Sequence, residues 1–290
     1  MKFFILAGGY GKRAEPLSLI KPKPAFPLGG VPLLARLLRQ LRALGCRQGF
    51  INLHHLAGQV VVAAGRGAGI RFFEETELSG SRVLQQALPF FSEWLLAVNG
   101  DTFLDIPLAD LQRETRDPQV DGVLLARRDA SGRYAGLRVG GDGFLEGTAP
   151  ASARGGLMYA GAGLFRKRAV AMIDETNFFA SIRRRSLRFK IVPYDGIWLD
   201  IGTPASYFLA NWEYLAQRSP WNGSPQPANA LSPHVAISRR ARVERSVLWE
   251  NTRVGPGVQL SECIVTGDLE LREASHSRQV ITRLGVSPLF

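Results

Sequence analysis

The chain has 290 residues, 46% of them hydrophobic and 21% charged, which is enough for one large globular domain and a smaller one. Its formal net charge of +11 favours an anionic ligand, but no recognised nucleic-acid-binding motif accompanies the charge, so no nucleic-acid partner is expected. No apolar run reaches the roughly 18–20 residues that cross a bilayer. Cys46 and Cys263 lie far apart and imply no disulfide framework. We therefore expect a cytoplasmic protein with no membrane partner.

The chain opens on a short apolar strand, Phe3 to Ala7, which runs directly into the sequence GGYGKR at residues 8–13. Glycines directly after a strand let backbone N–H groups approach a phosphate with no Cβ in the way. Arg13, together with Lys23 in the adjoining proline-rich segment, adds two cations to this neighbourhood. The pattern predicts a phosphate-binding loop with charge-neutralising side chains, as used in phosphoryl or nucleotidyl transfer.

Two commoner glycine loops are excluded by the residues that come after the glycines. A dinucleotide-binding loop continues into a regular helix, which four prolines between residues 16 and 27 prevent here. A P-loop requires Gly-Lys-Ser/Thr, whereas Gly11 and Lys12 are followed by Arg13.

The next 190 or so residues alternate short apolar runs with helical patterns, which is typical of an α/β domain with a mostly parallel sheet. A helix is predicted from Pro32 to Leu44, because its six leucines form one stripe and Gly45 follows its end. Strands are predicted over residues 50–53, 70–73, 95–98 and 120–126, hairpin-like segments around 142–143 and over 157–165, and a closing helix over 204–217. Ligands of such sheets lie at the carboxyl ends of the strands, where the glycine loop and Asp101 both fall.

The end of the chain has a different pattern. Residues 219–233 are rich in Pro, Ser, Asn and Gly and are expected to form a linker. In residues 234–273 an apolar residue recurs every five or six positions, which predicts a short hexapeptide-repeat segment resembling a left-handed β-helix; a pair of hairpins is the alternative. So short a stack must pack on the first domain or on another chain. Residues 274–290 carry little pattern and are expected to be a loosely attached tail.

Four motifs, taken together, indicate a family. They are LAGGYGKR at residues 6–13, PKPAFPL at 22–28, VNGD at 98–101 and WLDIGTP at 198–204. With these motifs, in this order, the chain resembles the sugar-1-phosphate nucleotidylyltransferases and is nearest to their mannose-1-phosphate guanylyltransferase-like branch. The resemblance implies that residues 1–218 form a Rossmann-like, three-layer nucleotidyltransferase domain.

The activity implied by the resemblance is transfer of a nucleoside monophosphate from a nucleoside triphosphate to a sugar 1-phosphate, giving an NDP-sugar and pyrophosphate. GTP and a mannose-1-phosphate-like sugar are the first expectation, with Mg²⁺ as cofactor. A homo-oligomer formed through the C-terminal segment is also expected. The alternative is a catalytically weak homologue that binds nucleotide sugar and regulates a partner enzyme.

The resemblance also assigns roles to residues. Asp101 and Asp200 match the metal-binding aspartates, although capping of a turn is the alternative explanation for each. Arg13 matches the cation on the leaving phosphates, and Lys23 the cation on the α-phosphate or the sugar phosphate. The implied nucleotide-binding residues are Leu6, Ala7, Gly8, Gly9, Gly11, Arg13, Asn99 and Gly100. The implied sugar-side residues are Lys23, Arg82, Gly161 and Asp200.

Two departures from the family pattern affect the sugar side. The stretch LSGSRV at residues 78–83 has Arg82 where a glycine is usual, and the common Glu-Lys-Pro element is absent. The missing lysine normally binds the sugar phosphate. Arg82, or one of the three arginines at residues 183–185, could replace it.

Overall fold

The structure is a computed structural model that describes residues 1–65, 67–151, 155–218, 229–272 and 274–290. The strands of its first part are β1 (Lys2–Leu6), β2 (Pro27–Leu28), β3 (Val31–Pro32), β4 (Gln48–Leu53), β5 (Ile70–Glu74), β6 (Trp94–Asn99), β7 (Thr102–Leu104), β8 (Gly122–Arg128), β9 (Gly136–Val139), β10 (Leu145–Ala149), β11 (Leu157–Arg166), β12 (Phe189–Pro193) and β13 (Trp198–Asp200). The helices are α1 (Leu17–Ile20), α2 (Leu33–Ala43), α3 (Ala57–Ala64), α4 (Leu108–Glu114), α5 (Lys167–Ala171), α6 (Phe178–Arg184) and α7 (Pro204–Arg218). Short 3-10 helices cover Lys12–Ala14, Lys23–Ala25 and Gly80–Phe90.

The main sheet has the order β10-β9-β11-β6-β1-β4-β5, with β8 paired to β11 and to β12. Strands β6, β1, β4 and β5 are mutually parallel, as are β8 and β12. Strand β11 is antiparallel to both β6 and β8, so these two run in the same direction. The carboxyl ends of β1, β6 and β8 therefore meet at one edge of the sheet.

The sheet is covered on both faces, as expected for three layers. Successive side chains of β1 point to opposite faces: Phe3 and Ile5 belong to one buried cluster, and Phe4 belongs to the other. The first cluster includes the leucine stripe of α2, and the second includes Phe165 and Phe189. The predicted α/β fold with a mostly parallel sheet is confirmed.

The strands of the C-terminal part are β14 (Ala230–Leu231), β15 (Ala236–Ile237), β16 (Arg242–Glu244), β17 (Val247–Leu248), β18 (Arg253–Val254), β19 (Gln259–Ser261), β20 (Ile264–Val265), β21 (Glu270–Leu271), β22 (Ser275–Ser277), β23 (Gln279–Thr282) and β24 (Gly285–Pro288). They form three small sheets, β14-β17-β20-β23-β24, β15-β18-β21 and β16-β19-β22. All neighbours are parallel except β23 and β24.

Paired residues on neighbouring strands of this part are separated by a nearly constant number of residues in the sequence. Ala230 pairs with Val247, and Val247 pairs with Ile264, a spacing of 17 residues in each case. Hairpins would give antiparallel neighbours, so the parallel pairing is consistent with a β-helix-like segment of three faces.

The C-terminal segment packs on the first domain, which was one of the two expected possibilities. Trp249 is fully buried, and its Nε1 donates to the Tyr207 hydroxyl at 2.9 Å. The ring of Trp249 lies 5.2 Å from that of Phe26. Val247 and Val280 belong to the same buried cluster as the leucines of α2. The two parts therefore share one hydrophobic core.

Two expected boundaries differ from the structure. Residues 219–228 of the expected linker lie outside the described residues, and Ala230–Leu231 at its other end is a strand, in which Ala230 packs into the core. The expected loose tail, residues 274–290, instead contains β22, β23 and β24. Val280 and Leu289 are buried, so hydrophobic contacts hold this end of the chain in place.

Both cysteines are buried free thiols. Burial raises the pKa of Cys46 and of Cys263, so both are poor nucleophiles. Among the helices of the described residues, none is long and apolar enough to span a bilayer.

Candidate active site

The glycine loop leaves the carboxyl end of β1 and folds over Lys23. Gly11 has a φ of +69°, and a Cβ at this position would lie 3.2 Å from Cε of Lys23. A Cβ on Gly8 would lie 2.7 Å from Nδ2 of Asn52. Gly9, by contrast, has no described atom within 4 Å of its Cβ position. Two glycines are thus needed for packing, and the one between them leaves its backbone accessible to a ligand.

Lys23 begins a 3-10 helix and is only 7% exposed. Its Nζ donates to Oδ2 of Asp101 at 3.3 Å, and the Asp101 side chain is 43% exposed. An isolated buried ammonium group is costly, so the carboxylate compensates its charge. Both residues line the same cleft, where the partly exposed Asp101 faces solvent beside the buried Lys23.

Lys23 and Asp101 line a cleft of about 440 Å³ at the carboxyl edge of the sheet. The structure brings most of the sequence-predicted nucleotide site to this cleft. The predicted residues that line it are Leu6, Ala7, Gly8, Gly9, Gly11, Lys23, Asn99 and Asp101. Gly100 supports it from behind, because its N–H donates to the Leu6 carbonyl at 2.8 Å. Gly161 has a φ of +95° and packs against Asn99, 3.3 Å from its Cβ position.

Asp200 lies on a different strand, close to Asp101 in the strand pairing. Strand β13 is antiparallel to β7, and Asp200 pairs with Thr102, the residue after Asp101. A Cβ on Gly202 would lie 2.9 Å from both carboxylate oxygens of Asp200, so this glycine gives the carboxylate its room. Two carboxylates on neighbouring strands can provide oxygen ligands to one hard divalent cation.

Tyr134 connects Asp200 to the predicted cation Arg13. Its hydroxyl is buried and interacts with the carboxylate of Asp200. Burial raises the pKa of Tyr134, and the hydrogen bond and negative charge of Asp200 raise this pKa further, whereas the charges of Arg133 and Arg13 oppose that increase. Arg13 is exposed, and its positive charge acts on Tyr134.

A buried polar network at the glycine loop was not predicted from the sequence. The Ala7 N–H donates to Oδ1 of Asn52 at 2.6 Å, and Asn52 Nδ2 donates to Oε2 of Glu75 at 2.5 Å. The N–H and hydroxyl of Ser79 donate to Oε1 of Glu75 at 3.0 Å and 2.5 Å. Asn52 and Glu75 are buried and line the cleft, and their hydrogen bonds fix the position of the loop. Asn52, a polar residue in an otherwise apolar strand, was the available signal.

The arginines suggested as replacements for the family lysine lie elsewhere. Arg82 is exposed, and its Nε donates to the Ser79 carbonyl at 3.4 Å, whereas the neighbouring Ser81 lines the cleft. Arg184 and Arg185 both form ion pairs with Asp174. The guanidiniums of Arg185 and Arg184 hold the pKa of Asp174 below its ordinary value. Arg183 borders a separate small cavity beside β10. The structure therefore brings none of these side chains to the cleft.

A glycine loop, a buried lysine and two carboxylates at the carboxyl edge of a mostly parallel sheet define the class of nucleotidyltransferase-fold proteins. Residues 3–183 match the family model of the MobA-like NTP transferase domain, and the chain belongs to that family.

The relatives agree with the resemblance found in the sequence, which is confirmed. A mannose-1-phosphate guanyltransferase of Yarrowia lipolytica is 25% identical over 77% of this chain and 66% of its own length. A UTP–glucose-1-phosphate uridylyltransferase of Synechocystis is 23% identical over 92% of this chain and 87% of its own. An N-acetylmuramate alpha-1-phosphate uridylyltransferase of Neisseria meningitidis is 29% identical over 70% and 94%, respectively.

Solved structures share the fold. HddC from Yersinia pseudotuberculosis superposes with a TM-score of 0.64 at 21% identity, over 73% of this chain and 99% of HddC. A second HddC structure, complexed with GMP-PN, gives the same TM-score at 22% identity.

Proposed function

We propose that this chain transfers a nucleoside monophosphate from a nucleoside triphosphate to a sugar 1-phosphate and releases pyrophosphate. The observation that carries the proposal is the buried Lys23, held under the glycine loop and paired with Asp101. The names of the relatives support it, since they are guanyl- and uridylyltransferases of sugar 1-phosphates. GTP is the first candidate nucleotide, supported by the guanyltransferase relative and by the HddC complex with GMP-PN, and a mannose-1-phosphate-like sugar is the first candidate acceptor.

In this proposal the reaction is an in-line displacement at the α-phosphorus. A phosphate oxygen of the sugar 1-phosphate forms the new bond, and the bond to the β-phosphate breaks as pyrophosphate leaves. The loop around Gly9 offers backbone N–H groups to the phosphates, Lys23 neutralises the α-phosphate, and Arg13 neutralises the departing charge. Groups fixed before the reaction in this way stabilise the transition state without reorganisation.

The carboxylates fit Mg²⁺ as the cofactor. Among the described residues, no group of three or more His, Cys, Asp or Glu side chains is placed to hold a metal, so no all-protein cage is formed there. Mg²⁺ is commonly bound by one or two carboxylates with water and substrate phosphates, which matches Asp101 and Asp200. When bound, the cation would supply charge neutralisation on the phosphates.

For the C-terminal segment we propose a left-handed β-helix-like stack of hexapeptide rungs and a homo-oligomer formed through it. The parallel pairing supports the stack. The exposed apolar residues in and beside β24 support the oligomer: Leu284, Val286 and Phe290. The cytoplasmic location stays a prediction.

The decisive experiment is a panel of the four nucleoside triphosphates against several sugar 1-phosphates, with pyrophosphate release as the readout. We expect one nucleotide and one sugar to give Mg²⁺-dependent turnover. Calorimetric titration with NDP-sugars runs beside the panel. Tight binding of an NDP-sugar without pyrophosphate release from any pair would reject the enzyme and favour the regulatory homologue.

A further inference from the structure

Two adjacent arginines end β8 at the same edge of the sheet as the cleft, and they are held differently. Arg128 donates from Nη1 to the Gly155 carbonyl at 3.1 Å. Arg127 is half-buried, and its guanidinium lies over the Trp198 ring, 4.9 Å from the ring centre. No hydrogen bond or ion pair joins the Arg127 side chain to another described residue. Because neighbours on a strand point to opposite faces, only Arg127 shares a face with Trp198.

The position of Trp198 relates Arg127 to the proposed metal site. Trp198 and Asp200 are two residues apart on β13, so their side chains share a face and are separated by roughly 7 Å along the strand. The indole is fixed, because its Nε1 donates to the Ala160 carbonyl at 2.9 Å. Tyr134 packs edge-on against the indole at 5.6 Å. Arg127 therefore contacts an aromatic pair, Trp198 and Tyr134, that adjoins Asp200.

Arg133 adds a second cation beside this aromatic pair. Its guanidinium lies 6.0 Å from the ring centre of Tyr134, and its side chain forms no ion pair within the described part of the chain. The loop that carries it is held by Asp129, which accepts hydrogen bonds from the N–H groups of Ser131 and Tyr134, each at 2.8 Å. Burial acts to raise the pKa of Asp129, but hydrogen bonds to Ser131 and Tyr134 lower it on balance, so this carboxylate stays ionised and the loop stays ordered.

We propose that Arg127, assisted by Arg133, binds an anionic substituent on the sugar, remote from its 1-phosphate. This inference rests on the proposed sugar-1-phosphate chemistry. The 1-phosphate itself must lie at Lys23 and the two aspartates, where the bond forms, whereas Arg127 lies beside Trp198, two residues from Asp200 along β13. Stacked on the indole and without a carboxylate partner among the described residues, the guanidinium keeps its N–H donors available for an anion. Its planar set of donors fits a carboxylate or a phosphate bidentately. The substrate class is therefore an acidic or doubly phosphorylated sugar 1-phosphate.

The test uses glucose and mannose 1-phosphates that differ only at carbon 6, as the alcohol, the carboxylate or the phosphate ester. For the wild-type protein we expect kcat/KM for an anionic member to exceed that for the neutral member by about tenfold or more. Comparison of the uronic acid 1-phosphates with the 1,6-bisphosphates distinguishes the two sources of negative charge. Arg127→Gln should remove that preference while leaving the KM for the nucleoside triphosphate within about twofold.

Arg128→Gln is the matched control, since it changes the neighbouring arginine on the opposite face, and it should keep the preference. Equal kcat/KM for all members in the wild type would overturn the proposal. So would a loss in Arg127→Gln that is equal for neutral and anionic sugars, because it would place this arginine at the 1-phosphate or in the fold. If no pair releases pyrophosphate, the proposed function fails separately. Calorimetric binding of the same sugar phosphates to the wild type and to Arg127→Gln then decides the role of Arg127.

Discussion

The cleft under the glycine loop and the neighbouring region around β13 differ in how their polar side chains are held. Under the glycine loop, Asn52 and Glu75 are buried and hydrogen-bonded to protein groups, and Lys23 is paired with Asp101. Around β13, the guanidinium of Arg127 has no hydrogen-bond partner among the described residues. The polar side chains of the first region are already paired within the protein before a ligand binds, which suits groups that act on the phosphates of every substrate. The second region leaves N–H donors without a protein partner, and a ligand can accept hydrogen bonds from them. Substrate choice is therefore expected to depend on the second region.

The largest expected effect is loss of turnover in Asp101→Asn and in Asp200→Asn. Each change removes a charged oxygen ligand from a two-carboxylate site, so the cation and the α-phosphate are misplaced. Pyrophosphate release measured across a Mg²⁺ titration gives the activity, and thermal melting tests the fold.

The two variants should also differ in melting temperature. Asp101→Asn leaves the buried Lys23 without its anion and should lower the melting temperature slightly, whereas Asp200→Asn should not. Near-normal turnover in either variant at ordinary Mg²⁺ would remove that aspartate from the mechanism.

Lys23→Ala should reduce kcat/KM by roughly 10²–10³, about 3–4 kcal/mol of transition-state stabilisation. The charge acts on the reacting phosphates, and its loss also removes a buried ion, so folding should change little. Lys12→Ala, which changes an exposed lysine in the same loop, is the control and should stay near wild type. A large drop in melting temperature with unchanged activity would mean that Lys23 is structural.

Asn52→Ala tests whether the nucleotide half is held by its buried network. The Ala7 N–H and the Glu75 carboxylate lose their shared partner, which should lower the free energy of unfolding by about 1–3 kcal/mol. The loop then moves, so the KM for the nucleoside triphosphate should rise more than the KM for the sugar phosphate. Chemical denaturation and initial-rate kinetics measure the two effects, and equal increases in both KM values would contradict this division of the site.

Arg82→Ala should have the smallest effect, less than about twofold on the KM for the sugar 1-phosphate. Its side chain is exposed and turned back onto Ser79, although it stands where the family has a glycine. A tenfold increase in that KM would show that the loop at residues 78–83 rearranges on binding. Arg82 would then belong to the residues that bind the sugar 1-phosphate.

The features that the sequence predicted depend on local pattern. The leucine stripe of α2 and the glycines and aspartate at strand ends are determined within a few residues, so periodicity and motif spacing find them. The Asn52–Glu75 contact joins residues on two different strands, and it depends on the register of β4 with β5, which no local pattern states. Arg127 and Arg82 both look like ordinary surface cations in the sequence, and only the neighbours of each side chain distinguish them.

The packing of Trp249 against Tyr207 and Phe26 has a consequence for synthesis of the protein. Part of the first domain's core is supplied by residues as late as Leu289. During translation, the face formed by Phe26 and α7 therefore stays uncovered until residues 247–289 have left the ribosome. Exposed apolar surface of that kind promotes aggregation of nascent chains. Fusion partners that delay or block folding at the C-terminal end should reduce the soluble yield more than fusions at the N-terminus.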